Sequence, residues 1–179
     1  MFKQTLIAAA LTAASSFAIA GPQYVDESGF AASGYDVVAF FGLDQSAVGQ
    51  KQPEAVPGKK SITAEYNGAT WAFSSEKNRD LFVANPAKYA PQYDGHCAYG
   101  ISQGGKVPAN PNLWRIVDDK LYVNINPVVV GFFEEDISGL LKQAEQKWSA
   151  TLEGDAASTR SWKSIKSNDS TYTTDAPQP

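Results

Sequence analysis

One cysteine, one histidine and one methionine occur in 179 residues. A single thiol can form neither an intramolecular disulfide nor a Cys-x-x-Cys redox pair, so stability has to come from packing. With no second histidine, a cysteine nucleophile lacks its usual base, because strand or helix geometry turns the adjacent His96 away from Cys97. Basic residues are outnumbered by acidic ones, 15 to 19, and form no stripe. This argues against nucleic acid, which is bound by neutralising phosphates, and against anionic membranes. Hydrolytic carboxylate pairs are lacking, and Gly104-Gly105 opens no phosphate-cradling helix. No internal repeat is visible either.

What is present begins with Met1 to Ala20: Lys3, apolar stretches at Leu6 to Leu11 and Phe17 to Ile19, and the small-residue close Ala18-Ile19-Ala20. This reads as a secretory signal peptide cleaved after Ala20, giving a periplasmic or secreted chain. Thr12, Ser15 and Ser16 interrupt it, and it falls short of the roughly 20 continuous apolar residues of a membrane span. No cysteine follows to anchor a lipid. Loss of Lys3 makes the formal charge of −4 one unit more negative.

The remainder is the size of one domain. Val37-Val38-Ala39-Phe40-Phe41 reads as a strand buried on both faces, and Asp44 to Lys60 as a surface loop. Asn67-Gly68 supplies the two positive-φ positions of a type I′ turn, predicting a hairpin with Tyr66 opposite Ala69, Ala64 opposite Trp71 and Ile62 opposite Phe73. Ser74 or Ser75 caps a helix to about Ala84, stopped by Asn85-Pro86. A second hairpin turns at Asp118-Asp119, setting Ile116 against Leu121 and Trp114 against Val123, with Arg115 and Lys120 outside. Asn126-Pro127 starts a helix whose apolar residues Phe133, Ile137, Leu140, Leu141, Ala144 and Trp148 recur at three and four. The fold class is therefore α+β: a small antiparallel sheet of hairpins covered by two helices, in one domain over residues 21–150. Residues 151–179 are Ser- and Thr-rich and read as a mostly disordered polar tail, with Trp162, Ile165 and Tyr172 its large apolar side chains.

Nitrogen and sulfur chemistry converges on Asp94-Gly95-His96-Cys97-Ala98-Tyr99-Gly100. Glycines on both sides permit a sharp bend, so Cys97 and His96 are candidate ligands for a soft or borderline ion such as Cu or Zn. The loop offers at most three of the four ligands of a closed zinc site. Tyr93, Asp94 and Tyr99 are candidates for binding a small molecule, since pockets pair aromatic faces with a few polar anchors. Trp71 and Trp114 fit core positions better. The alternative is a non-catalytic structural or protein-interaction module, partnered by another exported protein, with Cys97 a buried small hydrophobe. Catalysis ranks below both.

Several segments together resemble the exported YHS-domain proteins of bacteria: Gly34-Tyr35-Asp36-Val37-Val38-Ala39-Phe40-Phe41, the hairpin from Tyr66 to Ser75, Asn85 to Tyr93, Gly95 to Gly100, and Trp114 to Asp118. The resemblance runs from about Gly34 to Trp148. It implies a small α+β domain associated with metal binding. In the metal-trafficking relatives a Cys ends the strand after the hairpin turn and a second follows four positions later. Those places are similar to Ser74 and Asn78 here, which supply no thiolate, so that heavy-metal site is not expected in this chain.

Overall fold

The computed structural model describes residues 23–164. The signal-like residues 1–20, and Ile165 and Tyr172 of the tail, lie outside the described residues. The architecture is α+β, with the two hairpins forming separate two-stranded antiparallel sheets.

The first hairpin joins β1 (Lys59–Tyr66) to β2 (Ala69–Phe73) through Asn67 and Gly68, both at positive φ as the Asn-Gly pair demands. Tyr66 faces Ala69 and Ala64 faces Trp71, as expected. The expected partnership of Ile62 with Phe73 does not form. A bulge between Lys59 and Thr63 shifts the register, so that Phe73 faces Lys59. Beside that bulge Gly58 presses against β2: a Cβ there would lie 2.5 Å from the Ala72 carbonyl carbon. Gly58→Ala is expected to cost about 1–3 kcal/mol by overpacking. Gly131→Ala, in a helix interior with nothing within 4 Å of the new Cβ, should instead gain about 0.5–1 kcal/mol. Equilibrium denaturation of the two variants checks both signs.

Ser75 caps α1 (Glu76–Ala84) through its Oγ, which accepts from Asn78 N at 3.2 Å. Asn85-Pro86 ends it and opens the single turn α2 (Pro86–Tyr89). The helix buries Phe82 against Trp71 and Phe73, with ring centroids 5.1 Å away in each case. After the His-Cys loop come the short α3 (Ala98–Ser102) and the second hairpin, β3 (Asn110–Val117) and β4 (Lys120–Asn124), paired as predicted at Trp114–Val123 and Ile116–Leu121. Asp118 and Asp119 both take the left-handed conformation that a two-residue loop imposes.

Three expectations give way to tertiary structure. In the run Val37 to Phe41, Val37, Val38 and Phe40 are buried and Ala39 and Phe41 half-buried, but no strand forms. The Asp36 carboxyl accepts from Val38 N and Ala39 N, at 3.0 and 3.2 Å, and folds the run into a 3₁₀ turn over Ala39–Gly42. Arg115, placed outside by alternation, is only 6% exposed. Its guanidinium pairs with Glu134 and reaches the Ser46 and Ala47 carbonyls, pinning the surface loop to the next helix. The last long helix is two: α4 (Pro127–Glu135) and α5 (Ile137–Lys147), broken where Asp136 leaves helical geometry and caps Gly139 N at 2.9 Å.

The larger core group gathers Val37, Phe40, Trp71, Phe73, Phe82, Cys97, Trp114, Leu121 and Val123. Trp162, placed by the sequence in the polar tail, belongs to it, 7% exposed and with its indole N–H donating to Ser33 Oγ at 3.0 Å. The described part of the tail thus returns to the body at least as far as Trp162. A smaller group centred on Phe133 and Ile101 packs α3 against α4 and α5. Among the described residues, no helix is long and apolar enough to cross a membrane.

Candidate functional site

The His-Cys loop starts with a tight turn in which Tyr93, Asp94 and Gly95 take φ of 56°, 51° and 78°. Gly accepts this freely and Asp tolerates it, but for Tyr93 the conformation is held only by its surroundings. The Tyr93 ring packs at 5.9 Å from Tyr122 and 5.5 Å from Trp148, and burial drives its hydroxyl strongly toward the protonated form. Asp94 is anchored from both sides. Its carbonyl accepts from Tyr24 N and Gln23 Nε2, at 2.9 and 2.7 Å, and its Oδ1 accepts from Asn67 Nδ2 at 3.0 Å. Burial raises the Asp94 carboxyl, while Lys106 and Asn67 pull it back.

His96 has no solvent exposure. Its Nε2 lies 3.1 Å from the Ser158 backbone N–H, an obligatory donor, so Nε2 accepts and Nδ1–H donates to the Tyr93 carbonyl at 2.9 Å. Both ring nitrogens are therefore occupied by the protein itself. Burial first, and then Lys106, lower its pKa to about 4, against the opposing bond to Tyr93. The Tyr24 ring lies 5.5 Å away, and its hydroxyl donates to the Arg160 carbonyl at 2.8 Å. The returning tail thus closes over the imidazole.

Cys97 caps α3, its Sγ accepting from Gly100 N at 3.4 Å and donating to Asn124 Oδ1 at 3.5 Å. It is 1% exposed, and burial pushes the thiol up to about 11 despite hydrogen bonds to the backbone of Gly100, Ile125 and Tyr99. A thiol so held is a poor nucleophile and a poor ligand, since both roles need the thiolate. Among the described residues, no three His, Cys, Asp or Glu side chains converge as a metal cluster. Tyr99 is half-buried, its ring 5.8 Å from Phe132, which is 45% exposed.

The sequence reading passed over a second polar centre. Asp36, fully buried, collects five donors: Val38 N and Ala39 N on Oδ1, and on Oδ2 Ser74 N at 2.8 Å, Ser74 Oγ at 2.6 Å and Asn78 Nδ2 at 2.7 Å. Ser74 and Asn78 are the two positions to which the resemblance would assign the cysteines of a heavy-metal site. Here they do converge, but on a carboxyl group of the same chain. The usable signal was the four-residue spacing, which puts both on one side of a capped helix start.

No curated protein and no solved structure matches the chain. The resemblance drawn between Gly34 and Trp148 is supported over a shorter stretch, from Gln52 through β1, β2, α1 and α2 to Tyr93, which leaves Asp94, His96, Cys97 and Tyr99 beyond its end. A family model described as YHS domain matches residues 52–93 of the chain.

Proposed function

We propose that this protein is an exported, non-catalytic YHS-domain interaction module, in which the Tyr93–Tyr99 loop is an internal tie between its N-terminal segment, its second hairpin and its tail. The observation that carries this reading is that both nitrogens of His96 bond to backbone groups while the sulfur of Cys97 is sealed and bonded beside it. To ligate an ion, Cys97 would have to give up its donation to Asn124, and His96 the bond its Nε2 accepts from Ser158. Phe132 and Val128 are apolar side chains this region leaves at the surface, 45% and 50% exposed, beside the half-buried Tyr99. Export rests on the signal-like pattern of Met1 to Ala20, and sequencing the N-terminus of the exported protein tests cleavage after Ala20.

A Cu or Zn centre on Cys97 and His96 competes with this reading, and one experiment separates the two. Titration of the folded protein with Cu(I) or Zn(II) against a competing chelator is expected to give the same weak, nonspecific uptake for wild type and Cys97→Ser. Stoichiometric binding that Cys97→Ser abolishes would establish the metal centre instead.

A further inference from the structure

The two hairpins share more than a shape. In β1 and β2 the pairs are Lys59–Phe73, then a bulge, then Thr63–Ala72. In β3 and β4 they are Asn110–Asn124, a bulge, then Trp114–Val123, every number differing by 51. The same offset relates Val56-Pro57 to Val107-Pro108, the turn Asn67-Gly68 to Asp118-Asp119, and the cap Ser75 to Asn126. It relates Phe82 to Phe133, each 1% exposed. It also relates the helix-ending Asn85 (φ −154°, ψ 74°) to Asp136 (φ −150°, ψ 69°).

The segments leading into the hairpins correspond as well, with an offset of 61 because the second connecting loop is shorter. Ala32-Ser33-Gly34 and Tyr93-Asp94-Gly95 are left-handed turns. Ala31 N donates to Thr70 O and Gln92 N to Leu121 O, while Asp36 N donates to Val56 O and Cys97 N to Val107 O. In every case the acceptors obey the offset of 51. Local turn chemistry alone would not reproduce the same bulge, turn, cap, helix break and long-range bonds in one order.

We infer that the chain is a tandem duplication of one structural unit, residues 31–89 and 92–140, in which Asp36 and Cys97 are the same position: the buried acceptor that ties the start of a short helical turn to the end of the second strand. The family match at residues 52–93 takes in residues 52–89 of the first copy, whose counterparts in the second copy are 103–140. Asp36 takes the N–H groups of Ala39 and Ser74. Cys97 takes those of their counterparts Gly100 and Ile125. The side-chain donors Ser74 and Asn78 are replaced by Ile125 and Val129, which suits a sulfur in place of a carboxyl group. This goes beyond the proposed function, since it assigns Cys97 a role inherited from its position whatever the module binds.

Transplanting each centre into the other copy of the full-length protein tests the equivalence. Cys97→Asp alone should lower the urea midpoint sharply, and adding Ile125→Ser and Val129→Asn should restore at least half of that loss. In the reverse direction, Asp36→Cys with Ser74→Ile and Asn78→Val should be more stable than Asp36→Cys alone. A single variant that does not fold is scored as having no midpoint, so its triple counterpart must fold. If either triple variant is no more stable than its single, the duplication is overturned.

Discussion

Asp36→Ala is expected to lower the stability of the protein by about 3–5 kcal/mol, the cost of leaving buried polar groups without the charged or strongly polar partner they were built around. Five donors from three places, the 3₁₀ turn after Asp36, the end of β2 and the first turn of α1, would lose their acceptor together. Domains of this kind are stable by about 5–15 kcal/mol in all, so the variant should sit near the limit of folding at 37 °C. Ser74→Ala and Asn78→Ala each remove one side-chain donor and should cost about 1 kcal/mol. Urea denaturation of the three variants provides the comparison. An Asp36→Ala loss no larger than that of Ser74→Ala would show that the carboxyl group is not a hub.

Acid should weaken the protein through His96 well before most carboxyl groups protonate. The imidazole takes up a proton near pH 6.5 when unfolded but only near pH 4 when folded. The folded state therefore holds a neutral ring that the unfolded state charges more readily. Its contribution is complete above pH 6.5, is lost as pH falls toward 4, and changes no further below that. At roughly 1.4 kcal/mol per pH unit, the loss amounts to about 3 kcal/mol. Structurally, a proton on Nε2 turns the acceptor facing Ser158 N–H into a second donor, so the tail should loosen from the loop. Asp94 acts in the opposite direction, because its raised carboxyl favours the protonated form in the fold. Denaturation midpoints of wild type and His96→Gln between pH 4 and 7 isolate the histidine. The difference between them should shrink as pH falls, and a pH-independent difference would mean that the folded ring titrates normally.

Both hairpins were legible because their turns are local. Asn67-Gly68 and Asp118-Asp119 set registers that the strands keep for as long as no bulge intervenes. The bulges at Lys59–Thr63 and Asn110–Trp114 are not legible, because period-two alternation assumes an unbroken register. Arg115 was misplaced for a related reason. Its strand face meets Glu134 and the Ser46-Ala47 carbonyls, which supply it with partners that period-two patterning cannot see. Val37 to Phe41 has the composition of a strand, but the carboxyl of Asp36 competes for its N–H groups and wins. The helix break at Asp136 has the same origin, a short polar side chain diverting the backbone.

At the site, rarity directed attention to His96 and Cys97 and found a segment that does bind three parts of the molecule together. Rarity says nothing about exposure, however, and the groups that enclose this pair, Tyr24, Ser158 and Asn124, come from distant parts of the chain. The repeat is not legible in the sequence because equivalent positions seldom keep the same residue: Asp36 answers to Cys97, Tyr35 to His96 and Phe73 to Asn124. Geometry has outlasted identity in these two copies, leaving Val-Pro, a glycine and one buried phenylalanine as the clearest shared letters.

The central claim is that Cys97 belongs to the interior, and the rate at which a small thiol reagent modifies it in the native protein tests this directly. With the sulfur sealed and its pKa near 11, modification should require unfolding. The native rate should then fall below that of the denatured chain by a factor on the order of 10³ or more, and should rise with denaturant along the global unfolding curve. Native labelling within about tenfold of the denatured rate, insensitive to denaturant, would instead place the thiol at an open site and contradict the account.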